Sequence, residues 1–565
     1  MSEKTSRALL LGVSLLLVVV ANTGPIANND YGLHLRIGQE IAEAWRPVHV
    51  DYHSYTLPGA RYPDHEWLTQ LAFYGVHHAL GDEGMVALRG LLIGIALAFM
   101  LASVRGPLPL KLGLLVLVML LGFDHAHMRP HLLSWVMAGL LNVLLQRRIN
   151  WAVLALLLFW GNTHGSVLLG VGIAGLHYVE AYARVYRERR TQLGRRATKK
   201  REEQIHRWFH PSLLWAACCA LAPLLNPNGV GIYTLFFEIS GHTTFIGEWQ
   251  PYTPDTLAFW LLVGFVLVAL YGLFKSHPFN WFDAVPLAVL ALLAFQSSRN
   301  GVVATILLAP LFGRWYGQDV ARWSSRARWV VGILLAVVLA VMLGLRIRSD
   351  QALDFRLDHE HLPVEAVEFM QRHQLEGPIF NDYNFGGYLL WKAWPEYPVF
   401  IDGRTEVYKG RVLEEYLAVS RAAAGWEDIV ERYGVTFFLV RPEREISKVL
   451  LEHADWDLVY FDYNSVIYIQ SGLFPELERL HVVSPYGHRD RSRVAEATEE
   501  ITYLLEENPR FFGGYKILAF LLYRQGDYSG AREALKQYLV LHPEGGRVEE
   551  TQSLMESLRV QGAWP

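Results

Sequence analysis

The feature that most constrains this chain is a series of near-uncharged apolar runs, repeated from the N-terminus to about residue 346. A helix rises about 1.5 Å per residue, so about 20 residues cross a bilayer core of about 30 Å. Candidate spans lie near 8–25, 85–104, 111–124, 131–146, 150–163, 165–184, 211–227, 256–274, 281–297, 300–316 and 329–346. That makes about eleven, several of them short. Neither a single soluble globule nor a disordered chain carries such a series. The overall composition, 52% hydrophobic and 19% charged, hides a split, because after about residue 346 charged residues alternate with short apolar segments. The 565 residues hold a large membrane domain and roughly 200 residues of soluble structure. A net charge of -4 gives no sign of a nucleic-acid partner. Cys218 and Cys219 are adjacent inside an apolar run and match neither a disulfide framework nor a zinc spacing.

Lysine and arginine set the expected orientation. Lys4/Arg7, Arg105/Lys111, Arg147/Arg148, Lys275 and Arg314/Arg322/Arg326/Arg328 fall on alternate sides of successive spans. The stretch from Arg184 to Arg207 carries ten Lys/Arg, and all of these agree on one face, the cytoplasm. The first run follows Lys4 and Arg7 with no clear cleavage site and reads as an uncleaved signal anchor. An odd span count then puts the N-terminus inside and the region after 346 outside, which in a bacterial cell is the periplasm.

The unusual residues collect on that outer face. Asp30 follows the first span and heads an amphipathic stretch, Tyr31-Gly32-Leu33-His34-Leu35-Arg36-Ile37-Gly38. Tyr62-Pro63-Asp64-His65-Glu66-Trp67-Leu68 opens a second one, which runs to about Leu80. Both read as interfacial helices, with carboxylates where they also complement helix N-termini. Polar insertions then interrupt apolar sequence at 124–131, 160–165, 247–251 and 297–300. Ionisable groups at such depth are costly and face a cavity or a partner, so a polar outward cavity is expected. Ten of the 22 histidines lie between His34 and His164 on this side. Their spacing reproduces no zinc motif; Asp64, His65 and Glu66 are the metal candidates, for a divalent ion such as Mg or Mn.

Taken together, these segments resemble a group of bacterial multi-pass proteins related to the C-type (GT-C) glycosyltransferases. The resemblance rests on Asp30-Tyr31-Gly32-Leu33-His34-Leu35, His49-Val50-Asp51-Tyr52-His53-Ser54-Tyr55-Thr56 and His65-Glu66-Trp67-Leu68 in the first outer loop. It continues through Arg129-Pro130-His131, Asn162-Thr163-His164-Gly165, Asn226-Pro227-Asn228-Gly229, Gly247-Glu248-Trp249-Gln250-Pro251 and Arg299-Asn300, covering roughly residues 5–470. Such a relationship implies sugar transfer from a polyprenyl-phosphate carrier, with inversion, and an acidic general base in the first outer loop. Asp30 occupies that place, although Tyr31-Gly32 departs from the aromatic residues usual after the acid; Asp64 and Glu66 stay open as alternatives. A departing phosphate gains charge, and arginine suits it by donating from a planar, permanently charged fork. Arg129 and Arg299 are therefore expected to hold the carrier phosphate, helped by His34, His131 and His164, with Glu248 at the same site.

Beyond Leu362 the pattern is mixed α/β. Helical runs lie near 363–374, 410–422, 426–433 and 444–454, and strand-like runs at 377–381, 399–402, 435–440, 458–462 and 466–470. Ligands usually bind at strand C-termini, where Asp382-Tyr383 and Asp402-Gly403-Arg404 fall. The run Asp382-Tyr383-Asn384-Phe385-Gly386-Gly387-Tyr388 resembles the acceptor-reading motif of oligosaccharyltransferase outer domains, which implies an acceptor-side role for Asp382 and Tyr383; Asp402 and Arg404, by their place after the next strand, are acceptor-side candidates with them. Gly386, Gly387 and Gly403 also read as turn glycines with positive φ. From Asn508 to Pro543 the tail spans about one tetratricopeptide-like unit, a docking module for a protein partner.

The expected architecture is a GT-C-like membrane domain over 1–346, with interfacial helices at 26–84. A periplasmic α/β domain over 347–475 and a helical tail over 476–565 follow it. The expected activity is transfer of a sugar from a polyprenyl-phosphate donor to an envelope lipid, glycan or protein, at the periplasmic face of the inner membrane. A membrane scaffold of an envelope glycan pathway and a transporter of lipid-linked cargo are the alternatives.

Overall fold

The structure, a computed structural model, describes residues 2–122, 125–193, 211–234, 249–276, 279–349, 351–408, 410–488 and 492–564. It divides into two compact units. One comprises Met1–Asn28, His34–His49 and Tyr62–Leu357; the other comprises Asn29–Leu33, Val50–Arg61 and Asp358–Pro565. Two pieces of the first loop thus belong to the same unit as the C-terminal region.

The first unit is helical. Its elements are α1 (Glu3–Ala21), α2 (Tyr31–Ala44), α3 (Trp67–Ser103), α4 (Leu108–Gly122), α5 (His131–Arg147), α6 (Asn150–Gly161), α7 (Val167–Leu193), α8 (Pro211–Leu221), α9 (Leu257–Lys275), α10 (Trp281–Gln296), α11 (Asn300–Ala321) and α12 (Ser325–Arg348). A helix stands at each stretch expected to span. Among the described residues, four helices (α1, α3, α9 and α12) are long and apolar enough to cross a membrane.

Local chemistry explains the ends. Ser2, Thr256 and Ser324 cap α1, α9 and α12 by accepting the amides of Thr5, Phe259 and Ala327, which satisfies donors the first turn leaves free. The amphipathic stretch of α3 ends at Leu80, because Gly81 takes φ 65° and ψ -163°, a conformation open to glycine alone. Beyond it the helix continues as an apolar span, with Met85, Val86, Ala96, Leu97 and Met100 buried. Asn142 of α5 donates to the Ile306 carbonyl of α11 (2.9 Å), so even a polar residue deep in the bundle is paired.

The second unit is built on a mixed four-stranded sheet. Strands β1 (Ile379–Asn381), β2 (Phe437–Val440), β3 (Trp456–Phe461) and β4 (Val466–Gln470) lie in the order β1-β2-β4-β3. β1 and β2 are parallel, with Ile379 opposite Phe437, and the other pairs are antiparallel. Every residue of β1 and β2 is buried, and the continuous apolar run Phe437-Phe438-Leu439-Val440 suits a strand covered on both faces.

Two expectations are corrected here. Val399–Asp402 is no ladder strand: Val399 alone pairs, in an isolated parallel bridge with Ser54, and side chains take the hydrogen bonds of Phe400 and Ile401. The Asn381 amide donates to Ile401 O (2.8 Å) and its oxygen accepts Phe400 N (2.8 Å), while Thr56 donates to Phe400 O (2.7 Å). Gly386-Gly387-Tyr388 is not a turn but the start of a helix, Gly386–Lys392. Gly386, Gly387 and Gly403 lack positive φ; what they share is close contact.

The tail contains α-helices over Val494–Glu507, Phe512–Gln525, Tyr528–Leu541 and Glu549–Val560. Ala519, Ala531, Ala534, Leu535, Tyr538, Leu554 and Leu558 form its core. Glu500, buried, accepts the successive amides of His481, Val482 and Val483 at 2.8–3.1 Å. A second tie runs from Asn508, which donates to Tyr460 Oη (3.0 Å), and from Tyr460, which donates to Asp462 Oδ2 (2.8 Å).

Burial pushes the Asp462 carboxyl up to about 6, against the amides of Asn464 and Ser465. A carboxyl raised in the folded state stabilises fully below its unfolded pKa of about 4 and loses that contribution as pH rises through about 6. Thermal melts of Asp462→Asn are therefore expected to flatten the pH dependence of stability between about 4 and 7; an unchanged slope would refute the assignment.

Candidate functional site

In the first unit, basic side chains from five separate segments act on one another. His34, one turn into α2, is 5% exposed and packs edge-on to Phe73. Burial, then Arg129, Arg299 and His65, push its imidazole down to about 3, so it is uncharged at neutral pH. His164, in the turn between α6 and α7, is held well below the usual imidazole range by burial, then by Arg299, His65 and His34. Arg299, His164 and Arg129 also bear on His131.

The two arginines are held in comparable ways. Arg129 donates through Nε to Asn28 Oδ1 (2.6 Å), and the Asn28 amide donates to Met128 O (3.1 Å). The Arg299 guanidinium lies 5.6 Å from the centre of the Trp249 ring, a cation–π contact that fixes the charge without neutralising it. Each also sits at a helix start. α5 begins at His131 and α11 at Asn300, and neither has a capping side chain. The first-turn amides donate instead to preceding backbone carbonyls, Leu132 N to Arg129 O (3.1 Å) and Gly301 N to Ser298 O (3.1 Å), and the helix dipoles add to the positive potential there.

Proton positions follow from the partners. The Ser166 amide donates to His164 Nδ1 (3.1 Å), so the His164 proton is on Nε2, which lies 3.5 Å from Glu66 Oε1. His131 Nε2 lies 2.8 Å from the carbonyl oxygen of His125. A carbonyl only accepts, so the His131 proton is spent there and is not offered to a phosphate.

The carboxylates of this unit differ in use. Asp64 is fully buried. Its Oδ1 accepts Glu66 N (3.1 Å) and its carbonyl accepts the Asn228 amide (2.9 Å), while the Gln70 amide nitrogen, correctly oriented, lies 3.0 Å from Oδ2. It organises the turn that starts α3. Glu66 Oε1 instead lies between His65 Nε2 (3.6 Å) and His164 Nε2 (3.5 Å). Among the described residues no three His, Cys, Asp or Glu side chains gather to hold a metal ion.

Asp30 belongs to the second unit with the expected acceptor-side residues. A Cβ at Gly403 would collide with Asp30 Oδ1, so this glycine is a seat for the carboxylate. Tyr383 donates to Gly403 O (3.2 Å) and is 2.9 Å from Thr405 Oγ1. Burial, then Asp30, push its phenol above the ordinary range.

Asp382, Asp402 and Arg404 are each held by ion pairs. Asp382 accepts from Arg444 Nε (2.5 Å) and from Asn384 N (3.0 Å). Arg404, 1% exposed, bridges Asp402 (2.6 Å) and Asp51 (2.8 Å), with His53 Nδ1 at 3.3 Å from its Nη1. Tyr408 donates to Asp402 Oδ2 (2.6 Å). Burial would raise Asp51, but His53, Arg404 and Ser54 outweigh it and hold its carboxyl below the usual range. No site role followed from the sequence for Asn28, Asp51, His53 or Tyr408, although Asp51 and His53 lie in a segment that carries the resemblance. The Asp-x-His spacing at 51–53 carries a local turn, in which His53 N donates to Asp51 Oδ1 (3.1 Å), and that was the available signal. Glu248, Asp124 and the basic stretch 194–207 lie outside the described residues.

No protein-family profile matches the chain, and no curated protein matches it either. Solved structures do. One is the crystal structure of an oligosaccharyltransferase of Archaeoglobus fulgidus in the apo form, at 11% identity over 84% of this chain and 75% of that one, with a TM-score of 0.50. At this identity the similarity is one of fold.

Proposed function

We propose that this chain is a membrane glycosyltransferase that moves a sugar from a polyprenyl-phosphate donor to a hydroxyl of an envelope lipid, glycan or protein. The reaction is an inverting single displacement at the periplasmic face of a bacterial inner membrane. The observation that carries the reading is the gathering of Arg129 and Arg299, each at a helix start, with His34, His65 and His164, on the fold shared with an oligosaccharyltransferase.

In this reaction the acceptor oxygen attacks the anomeric carbon while the bond from that carbon to the phosphate oxygen breaks. The electron pair leaves on the phosphate, whose growing charge the two guanidiniums and the His164 Nε2–H stabilise. Asp30 takes the acceptor proton. Glu66 is the rival base, while Asp64 is committed to the turn before α3. Transfer assays with and without Mg or Mn measure any metal requirement. The tail docks a protein partner.

Mass spectrometry of lipid-linked sugars and envelope glycans tests the reading. A deletion strain should lose one sugar addition, restored by the wild-type chain and not by Asp30→Asn; an unchanged profile on deletion would sink it. Gly403→Ala should fail like Asp30→Asn, since its methyl takes the carboxylate's place. Rescue by both variants, with failure of Glu66→Gln, would move the base to Glu66.

A further inference from the structure

The basic cluster contains one group that a phosphate cannot satisfy. His131 is 5% exposed. Its Nε2 proton is committed to the His125 carbonyl at 2.8 Å, and its Nδ1 is buried with no hydrogen-bond partner. The ring cannot turn away freely, because it packs edge-on to Trp135 at 5.3 Å. A second proton on Nδ1 would add a buried positive charge close to Arg129 and Arg299, which electrostatics opposes. Nδ1 is therefore a bare lone pair in a cluster dominated by donors.

A buried polar atom left without a partner is costly, and native structures rarely keep one without a reason. The ionised oxygens of a carrier phosphodiester accept and do not donate. A ligand that satisfies both the guanidiniums and Nδ1 must carry an anion and, close to it, a hydroxyl. A glycosyl phosphate has this pairing.

Resting on the function proposed above, we infer that His131 accepts a hydrogen bond from a hydroxyl of the donor sugar. It is thus a specificity-determining residue for the sugar, not a holder of the phosphate. A site built to pair a substrate hydroxyl discriminates strongly against the analogue lacking it, because the protein atom is then left unpaired. His34 Nδ1, also buried without a partner, is a second position from which the same ligand can be read.

The test measures binding to the full-length chain in lipid nanodiscs. The probes are undecaprenyl phosphate and undecaprenyl-phosphate glucose, mannose and galactose. The wild type should bind at least one sugar-bearing lipid more tightly than the bare phosphate. His131→Leu should weaken that lipid by about tenfold and leave undecaprenyl phosphate within about twofold. His131→Gln, whose amide oxygen accepts, should recover part of the loss, and Arg299→Ala should weaken every probe. A monodeoxy analogue lacking the recognised hydroxyl should lose as much with the wild type, and nothing further with His131→Leu.

Equal weakening of bare and sugar-bearing lipids by His131→Leu, or no weakening of either, would overturn the inference while the Arg299 result upholds the transferase. If Arg299→Ala changes binding of no probe, the proposed function itself fails.

Discussion

Arg299→Ala is expected to lower sugar transfer by about two to three orders of magnitude, the usual loss when a group that meets developing charge is removed. Arg129→Ala should follow it closely. The reason is differential: a phosphate that leaves carries more charge in the transition state than in the bound donor, so each guanidinium gains most at that moment. Lysine keeps the charge but not the planar fork. Arg299→Lys should also lose the favourable stacking geometry on Trp249, so partial activity is expected there. Arg129→Lys keeps one donor toward Asn28 and should retain more. In vitro transfer with defined polyprenyl-phosphate sugars separates the terms, with the larger change in kcat. Full activity of both alanine variants would remove the cluster from the mechanism.

The largest effect on stability is expected at Arg404→Met. Arg404 is buried between Asp51 and Asp402, and removing it leaves two carboxylates facing each other without a counter-charge. Breaking a buried pair from one side costs about 3–5 kcal/mol. The variant should melt well below the wild type at neutral pH. Acid supplies the diagnostic sign. Asp51 is held below the usual carboxylate range in the intact protein, so its contribution is present above the unfolded pKa of about 4 and is lost as pH falls further. In Arg404→Met the Asp51 carboxylate loses that stabilisation and should bind a proton more readily, so the deficit should shrink as pH falls. A deficit independent of pH would assign the loss to packing and not to charge.

How much was legible in the sequence differs from element to element. The helix at 426–433 matches the observed Trp426–Tyr433, because its apolar face recurs at helical spacing and Gly425 and Gly434 bound it. The break after Leu80 was legible for the same local reason. Val399–Asp402 was misleading: its apolar run resembles a strand, but its pairing stops at one bridge from Val399 to Ser54, and the Asn381 side chain takes the hydrogen bonds of Phe400 and Ile401. The glycines at 386, 387 and 403 were visible as glycines and misread as turns, since contact from another segment leaves no local trace.

The site divides in the same way. Arg129, Arg299, His34 and His164 stood out because charged and polar groups interrupt apolar sequence, where burying them demands a reason. That interruption is a property of the chain alone, and so are the apolar runs, the helix ends and the segregation of a membrane-like half from an α/β half. Which proton each histidine carries, and which aspartate pairs with which arginine, was decided only by tertiary structure. His53 and Arg404, 351 residues apart, meet at 3.3 Å, and the His131 lone pair is bare only because the His125 carbonyl faces its other nitrogen. Periodicity records the face a side chain presents. Hydrogen bonds and buried ion pairs depend on distances of a few ångströms between groups that folding alone brings together.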